Sequence, residues 1–360
     1  MASLKFKCKV MKKIAVGIDF AKEKFDMTAI NVVERTSVHG QFKNSPMGAR
    51  DMLRAVRKFA RGIDSEDWMF CGEDTGYYSQ RVTRYLTEKG YFMWLQNAYS
   101  IKRSEGVIRR GKDDKADSRC IAEYARRFED KAVRYKLPPK ELEDLKMLLS
   151  QRDLLVSAKT KLHNSTSEIP ERKVQGSAVS LIKSANKRVC RVIDDEIKKL
   201  EDKMDEIIDS VEAIKENYDI LCSFTGVARI NTLAFIVYTE NFTKFDFNAR
   251  KIATYWGVAP FHKESGTSVH TSPHVSGFCN KKLKALIGNA ATVAIKYNSV
   301  INAYYNRLLE RGKCPMIAKN NVKNKIIHIL TAMVRNKQKF DKEYYFTFDT
   351  SVKNVKTLAS

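Results

Sequence analysis

Acidic residues are scarce: 42 aspartates and glutamates stand against 65 lysines and arginines, a formal charge of +23 over 360 residues. A folded chain with that surplus suits a polyanion, and because the excess is spread along the chain rather than gathered in a tail, long nucleic-acid-facing surfaces are expected. No basic amphipathic helix of the membrane-surface kind is evident, so acidic lipid is the poorer match. No apolar run approaches the roughly 20 residues that span a bilayer, and the opening MASLKFKCKV is too polar for a secretory core. A cytoplasmic, nucleoid-associated prokaryotic protein is therefore expected, with residues 1–11 as a leader and Met11 as a candidate internal start. The seven cysteines (8, 71, 120, 190, 222, 279 and 314) are odd in number and contain no CxxC pair, which argues against a zinc ribbon or a disulfide framework. Reduced, mostly buried thiols are expected. With 43% hydrophobic and 10% aromatic residues, the chain has material for at least one sizeable core and a second.

From Lys12 to about residue 130, short β-like runs alternate with amphipathic helices. KIAVGID (13–19), KFDMTAINVV (24–33) and SVHGQF (37–42) read as a meander. Ser45 and Pro46 start a helix whose apolar face is Met52, Leu53, Val56 and Phe59. WMFCG (68–72) is a strand, Tyr77 to Lys89 a helix, YFMWL (91–95) a strand and Lys115 to Phe128 a last helix. That order predicts an α/β N-terminal domain of ribonuclease-H-like type, a mixed sheet with helices.

Pro138 and Pro139 break the chain. Residues 140–217 read as a helical hairpin or coiled-coil region, in which Ile197, Leu200, Met204, Ile207, Val211 and Ile214 alternate three and four apart. A mainly α C-terminal domain follows over 220–338. It opens on SFTGVARINTLAFIV (223–237), a glycine turn before an apolar helix like the second half of a helix-hairpin-helix, and contains a polar loop or hairpin over 261–280. Two strongly helical runs rich in lysine and arginine come next, and residues 339–360 read as a tail.

Asp19 closes the first strand, Glu73 closes the fourth, and Asp114 and Asp117 open the last helix, where a three-residue spacing puts both on one face. In a ribonuclease-H-like sheet these places converge. Four such carboxylates repel one another, and magnesium or manganese ions relieve the repulsion while serving phosphodiester chemistry. Each also has an ordinary explanation, as a turn residue or as an acid favoured by the helix dipole. Asp26, Asp74 and Asp113 are read as outside the ligand set. Lys102, Arg103, Arg109, Arg110 and Lys112 form a cationic loop ahead of the acidic pair, suited to phosphate approach. His270 and His274 are four apart but have no third ligand nearby. Tyr255, Trp256, Tyr297, Tyr304 and Tyr305 read first as helical core or interface packing, with stacking on unpaired bases as the lesser alternative.

GIDFAKEKFD (17–26), GEDTGYY around Glu73 and KDDKADS (112–118) resemble the signatures of insertion-sequence transposases with an N-terminal RuvC-like DEDD domain. TGVARINTLAFI, FNARKIATYWGVAP, ESG (264–266), NKKLKALIGNAA and YYNRLLERGK resemble the second, serine transposase domain of the same family, so the likeness runs over about residues 12 to 340. The resemblance implies Asp19, Glu73, Asp114 and Asp117 as catalytic metal ligands and Ser265, in the position of the family's Gln-Ser-Gly, as nucleophile. It implies as partners donor and target DNA, a structured noncoding bridge RNA that pairs with both, and a dimer or tetramer of the chain itself. Two departures bear on the site. Glu264 replaces the glutamine, and the Ser-Lys-Arg-Gly that usually follows is here Ser276-Gly277-Phe278-Cys279, with Lys281 and Lys282 only after it as candidate nucleic-acid contacts. Two rivals stand beside this reading, a metal-dependent Holliday-junction-type endonuclease and a non-catalytic nucleic-acid-binding protein.

Overall fold

The computed structural model describes residues 12–104, 113–167, 177–265 and 269–341. It divides into two compact units, one up to Leu137 and one from Pro138 onward.

The first unit is built on a five-stranded sheet. Strands β1 (Ile14–Phe20), β2 (Lys24–Asn31) and β3 (Ser37–Lys43) form an antiparallel meander in which Ile14 pairs with Asn31 and Phe20 with Phe25. Helix α1 (Pro46–Phe59) follows. Ser45 caps it by accepting from the Gly48 amide, and Pro46 takes a first-turn position where no amide is needed. Then come β4 (Trp68–Glu73), α2 (Tyr77–Glu88), β5 (Phe92–Gln96), α3 (Ala98–Ser104) and α4 (Asp114–Arg127). β4 lies parallel to β1 and β5 parallel to β4, giving the order β3-β2-β1-β4-β5. This mixed sheet, flanked by helices, has the arrangement expected of a RuvC-like domain.

Alternation along β1 sorts its side chains to two layers. Ile14, Val16, Ile18 and Phe20 join Met52 and Val56 of α1 and Val82 and Leu86 of α2 in one core. On the other face Ala15, Met69, Cys71 and Trp94 pack with Ile101 of α3 and Ile121, Tyr124 and Ala125 of α4. Helix α3 is one element the sequence does not announce: the stretch that reads as a cationic loop begins with a helical turn. Asn97 accepts from the Tyr99 amide at 2.8 Å, and Ile101 is buried, which anchors the turn.

In the second unit α5 (Lys140–Ser167) and α6 (Ser177–Ser210) pair as a hairpin, tied by Arg152–Glu201 at 2.6 Å and Lys159–Asp194 at 2.5 Å. The three-and-four periodicity continues through Ile214, but α6 stops at Ser210 because Val211 is extended (φ −123°, ψ 104°). Val211 and Ile214 therefore belong to the next element. Helices α7 (Glu212–Cys222), α8 (Arg229–Tyr238) and α9 (Ala249–Tyr255) lead into the hairpin β6 (Pro260–Ser265) and β7 (Val269–Val275). Three helices close the unit, α10 (Lys281–Tyr297), α11 (Ser299–Glu310) and α12 (Pro315–Arg335). The sequence reads the first two as one run. Buried Asn298 ends it with extended backbone and caps α11, accepting from the Val300 and Ile301 amides at 3.1 and 3.3 Å.

Leu142, Leu145 and Leu149 of α5 share a core with α8, α9, α10 and α12, centred on Trp256 stacked 4.1 Å from Phe235. The Gly226 turn has φ +109°, and a Cβ there would meet the Ala290 carbonyl and the Ala294 amide of α10 at 2.9 Å, so glycine fits the turn onto that helix. Of the stretch that reads as a tail, Phe340 packs on Phe224 at 4.7 Å and its amide donates to the Ser223 hydroxyl.

Candidate functional site

Helix α4 crosses the sheet directly over Gly17. A Cβ at that position would stand 2.2 Å from the Ala122 amide nitrogen and the Ser118 carbonyl, so only glycine lets the helix backbone touch β1. Ser118 is fixed to the neighbouring strand by a buried contact of 2.8 Å with the Thr28 hydroxyl. Asp117 directly precedes Ser118, and Asp114 lies one turn earlier on the same helix. Two residues beyond Gly17, on the same side of β1, lies Asp19. Gly17 pairs with Cys71 in the parallel register, so Glu73, two residues further along β4, emerges on that side too. The close approach at Gly17 thus carries all four carboxylates to one end of one face.

The charges register the convergence. Asp19 is raised from 3.8 to about 6, first by burial and then by the nearby Asp117, Glu73, Asp114 and Asp26 carboxylates. An oxygen-only donor set that already makes its central member hard to ionise fits a hard divalent cation. As they stand, no three His, Cys, Asp or Glu side chains among the described residues close into a group able to hold one ion. Of two groups beside the cluster, Lys24 went unnoticed in the sequence and Asp26 was named there only as an acid outside the ligand set. Lys24 Nζ lies 3.4 Å from Asp114, giving the cluster a cationic neighbour. Asp26, directly across the sheet from Asp19, is buried, faces the same side and receives the Gln41 amide at 3.1 Å and His39 Nε2 at 3.3 Å. Both lie inside the GIDFAKEKFD stretch. Their β-alternation with Asp19 was the available signal. The other neighbouring acids have structural tasks: Asp113 caps α4, and Asp74 accepts from the Gly76 amide at 3.2 Å.

Of the cationic stretch, Lys102 and Arg103 are exposed on α3, with the Arg103 guanidinium 5.6 Å above the Tyr99 ring. Arg109, Arg110 and Lys112 lie outside the described residues. In the second unit Ser265 is the last residue of β6 and pairs with Val269 of β7, while Glu264 pairs with His270. Lys281 and Lys282 open α10, and Lys282 is ion-paired to Asp153 of α5. Trp256 is fully buried and Tyr255 and Tyr305 pack against the core, whereas Tyr297 is 61% exposed.

No helix among the described residues is long and apolar enough to cross a membrane. A transposase profile of the DEDD type named for IS110 matches residues 16–169, and one described as the IS116/IS110/IS902 transposase family matches residues 218–306. The chain is 23% identical over 341 residues to the pilin gene-inverting protein of Moraxella bovis, covering 93% of this chain and all of that protein. The Moraxella lacunata protein of the same name matches to the same extent. An uncharacterized 43.6 kDa protein of insertion element IS110 from Streptomyces coelicolor is 31% identical over 117 residues, 32% of this chain and 28% of that one. With one profile on the sheet unit, another on the helical unit, and relatives matched along their full length, the chain is a DNA-recombining enzyme of the IS110 transposase family.

Proposed function

We propose that the chain cuts and rejoins DNA strands with Asp19, Glu73, Asp114 and Asp117 holding magnesium or manganese ions and with Ser265 as nucleophile, directed to donor and target DNA by a structured noncoding RNA. The observation that carries the metal assignment is the approach of α4 onto β1 at Gly17, which sets the four carboxylates at one end of one sheet face, where burial and then Asp117, Glu73, Asp114 and Asp26 raise the Asp19 carboxyl. Bound divalent ions would supply charge neutralisation at the phosphodiester. The chain's own residues do the rest. Asp19 and Glu73 are fixed by strand ends and Asp114 and Asp117 by the first turn of α4, so the donors approach from three elements without a flexible loop between sheet and carboxylate. Ser265 Oγ forms a bond to phosphorus as one bridging P–O bond breaks, and the released sugar oxygen takes up a proton. Attack by a hydroxyl of the other duplex then restores a phosphodiester and frees the serine, so no external energy source is consumed. Met204 and Ile208 of α6 are used in the chain's own core, so we place pairing of subunits into a dimer or tetramer on the part of the α5–α6 hairpin where Leu154, Leu181, Val189 and Val192 are exposed.

The test is recombination by the full-length chain with donor DNA, target DNA and the RNA transcribed beside its gene, with gel analysis for protein-linked DNA. Wild type should trap an adduct, Ser265→Ala should yield none, and Asp19→Asn should lower the rate on the order of 100-fold or more. Undiminished recombination by Ser265→Ala would remove the serine. Free DNA ends without any adduct would favour the junction-cutting nuclease, and full activity of Asp19→Asn would remove the metal site.

A further inference from the structure

Among the described residues of the helical unit, three neighbouring lysines have no carboxylate partner. Lys284 lies in the opening turn of α10, and Lys319 and Lys323 lie one turn apart on α12. All three are partly buried, and among the described residues none forms an ion pair with a carboxylate. The Lys323 ammonium lies over Gly288 of α10, 3.5 Å from where a Cβ would stand, so the absence of a side chain there leaves room for it. Burial first, then Lys319 and Lys284, pull the Lys323 ammonium below its ordinary value. Holding partly desolvated like charges together without a counter-ion costs free energy, which an anion seated among them would offset.

The location gives the anion its identity. Asn320, between two of the lysines on α12, donates to the Val258 carbonyl at 3.0 Å, just before β6 begins. Lys284 Cδ is 3.7 Å from the Cβ position of Gly257, whose φ is +68° and which also abuts Cys279 at the exit from β7. The three lysines therefore gather at the foot of the β6–β7 hairpin, and Ser265 lies at its far end. Five residue steps of strand span about 17 Å, comparable to roughly five nucleotides of rise along one DNA strand. We infer that Lys284, Lys319 and Lys323 form a phosphate seat that grips the backbone of a DNA strand about five nucleotides from the bond presented to the hairpin tip. The distance to the reacting bond rests on the reading of Ser265 as nucleophile; the seat itself does not.

The experiment uses the full-length chain and two readouts. In the first, lysines are acylated with and without a duplex DNA of about 40 base pairs or an RNA of equal length, and modification is read by mass spectrometry. DNA should protect all three lysines. In the second, DNA affinity is measured across salt concentrations for wild type, for K284Q/K319Q/K323Q, and for a control of equal charge change on exposed lysines of the first unit, K43Q/K58Q/K89Q. Loss of three phosphate contacts should lower the slope of log affinity against log salt by roughly 2 to 3 and weaken binding on the order of 100-fold at 0.15 M salt. The control should change both far less, and K323R should keep the wild-type slope. Equal effects of the two triple variants would mean that only net charge matters and would overturn the seat. So would protection by RNA but not DNA, or by neither. If the triple variant fails to fold by circular dichroism, the protection pattern of the wild-type chain decides. Neither readout uses Ser265, so an active Ser265→Ala variant would remove the nucleophile and the five-nucleotide distance while leaving the seat standing.

Discussion

The two units each gather charges of one sign, but by different physical means. In the sheet unit the acids sit on short side chains at backbone positions fixed by strand ends and a helix start, under a helix that touches β1 with no side chain between. In the helical unit the lysines reach their common place on long side chains, those of Lys284 and Lys323 laid against glycines, and their ammonium groups can shift by ångströms without moving a helix. The first arrangement suits a small cation that demands fixed oxygen positions, and the second a polyanion whose phosphates arrive at variable spacing. Rigidity is therefore concentrated where coordination geometry is needed, and compliance where only charge is.

The sharpest way to break this contrast is at the two glycines. Gly17→Val drives a side chain into the α4 backbone and should cost about 3 kcal/mol or more in denaturant unfolding of the first unit, with loss of recombination. An unfolding midpoint unchanged from wild type would show that α4 can be displaced freely and that the acidic geometry is not set there. Ser118→Ala leaves the buried Thr28 hydroxyl without its 2.8 Å partner and should cost about 1–2 kcal/mol in the same measurement.

Asp19→Asn should stabilise the metal-free protein at neutral pH by on the order of 1 kcal/mol, after allowance for partial exposure, while lowering the recombination rate. The folded chain holds the Asp19 proton more tightly than the unfolded chain, so this residue lowers stability as pH rises from about 4 through about 6. Melting temperature followed over that range should decline in wild type more steeply than in Asp19→Asn. Parallel profiles would mean that neither burial nor the neighbouring carboxylates raise Asp19. The smallest effect is expected at Gly288→Ala, where the new methyl meets only the movable end of Lys323 and helix propensity improves by roughly 0.5 kcal/mol. A large loss of stability there would show that Lys323 is held as firmly as the acids.

Much of the sheet unit was legible because alternation in β1 and β2 and the Ser45–Pro46 helix start are local signals, and because Asp19, Glu73, Asp114 and Asp117 occupy element ends that can be located by periodicity. Local pattern failed where one residue's backbone overrides it. Val211 interrupts an apolar repeat that runs on regardless, and Asn298 divides a helical run without a proline or glycine to announce it. Lys24 was hidden, and the facing of Asp26 left open, for another reason. Asp26 and Lys24 sit in the same short motif as Asp19, yet whether they face it depends on the β1–β2 register, in which Asp26 falls opposite Asp19. The lysines at the hairpin foot, drawn from positions 284, 319 and 323, share no motif at all.

Composition and periodicity by themselves determined the basic surplus, the order of the five strands and the element ends at which Asp19, Glu73, Asp114 and Asp117 stand, since each follows from residue type and local spacing. Tertiary structure alone decided which charges stand together. Coulomb interactions act through space, and only the register of β1 on β2, the contact of α4 with Gly17 and the packing of α10 on α12 fix those distances.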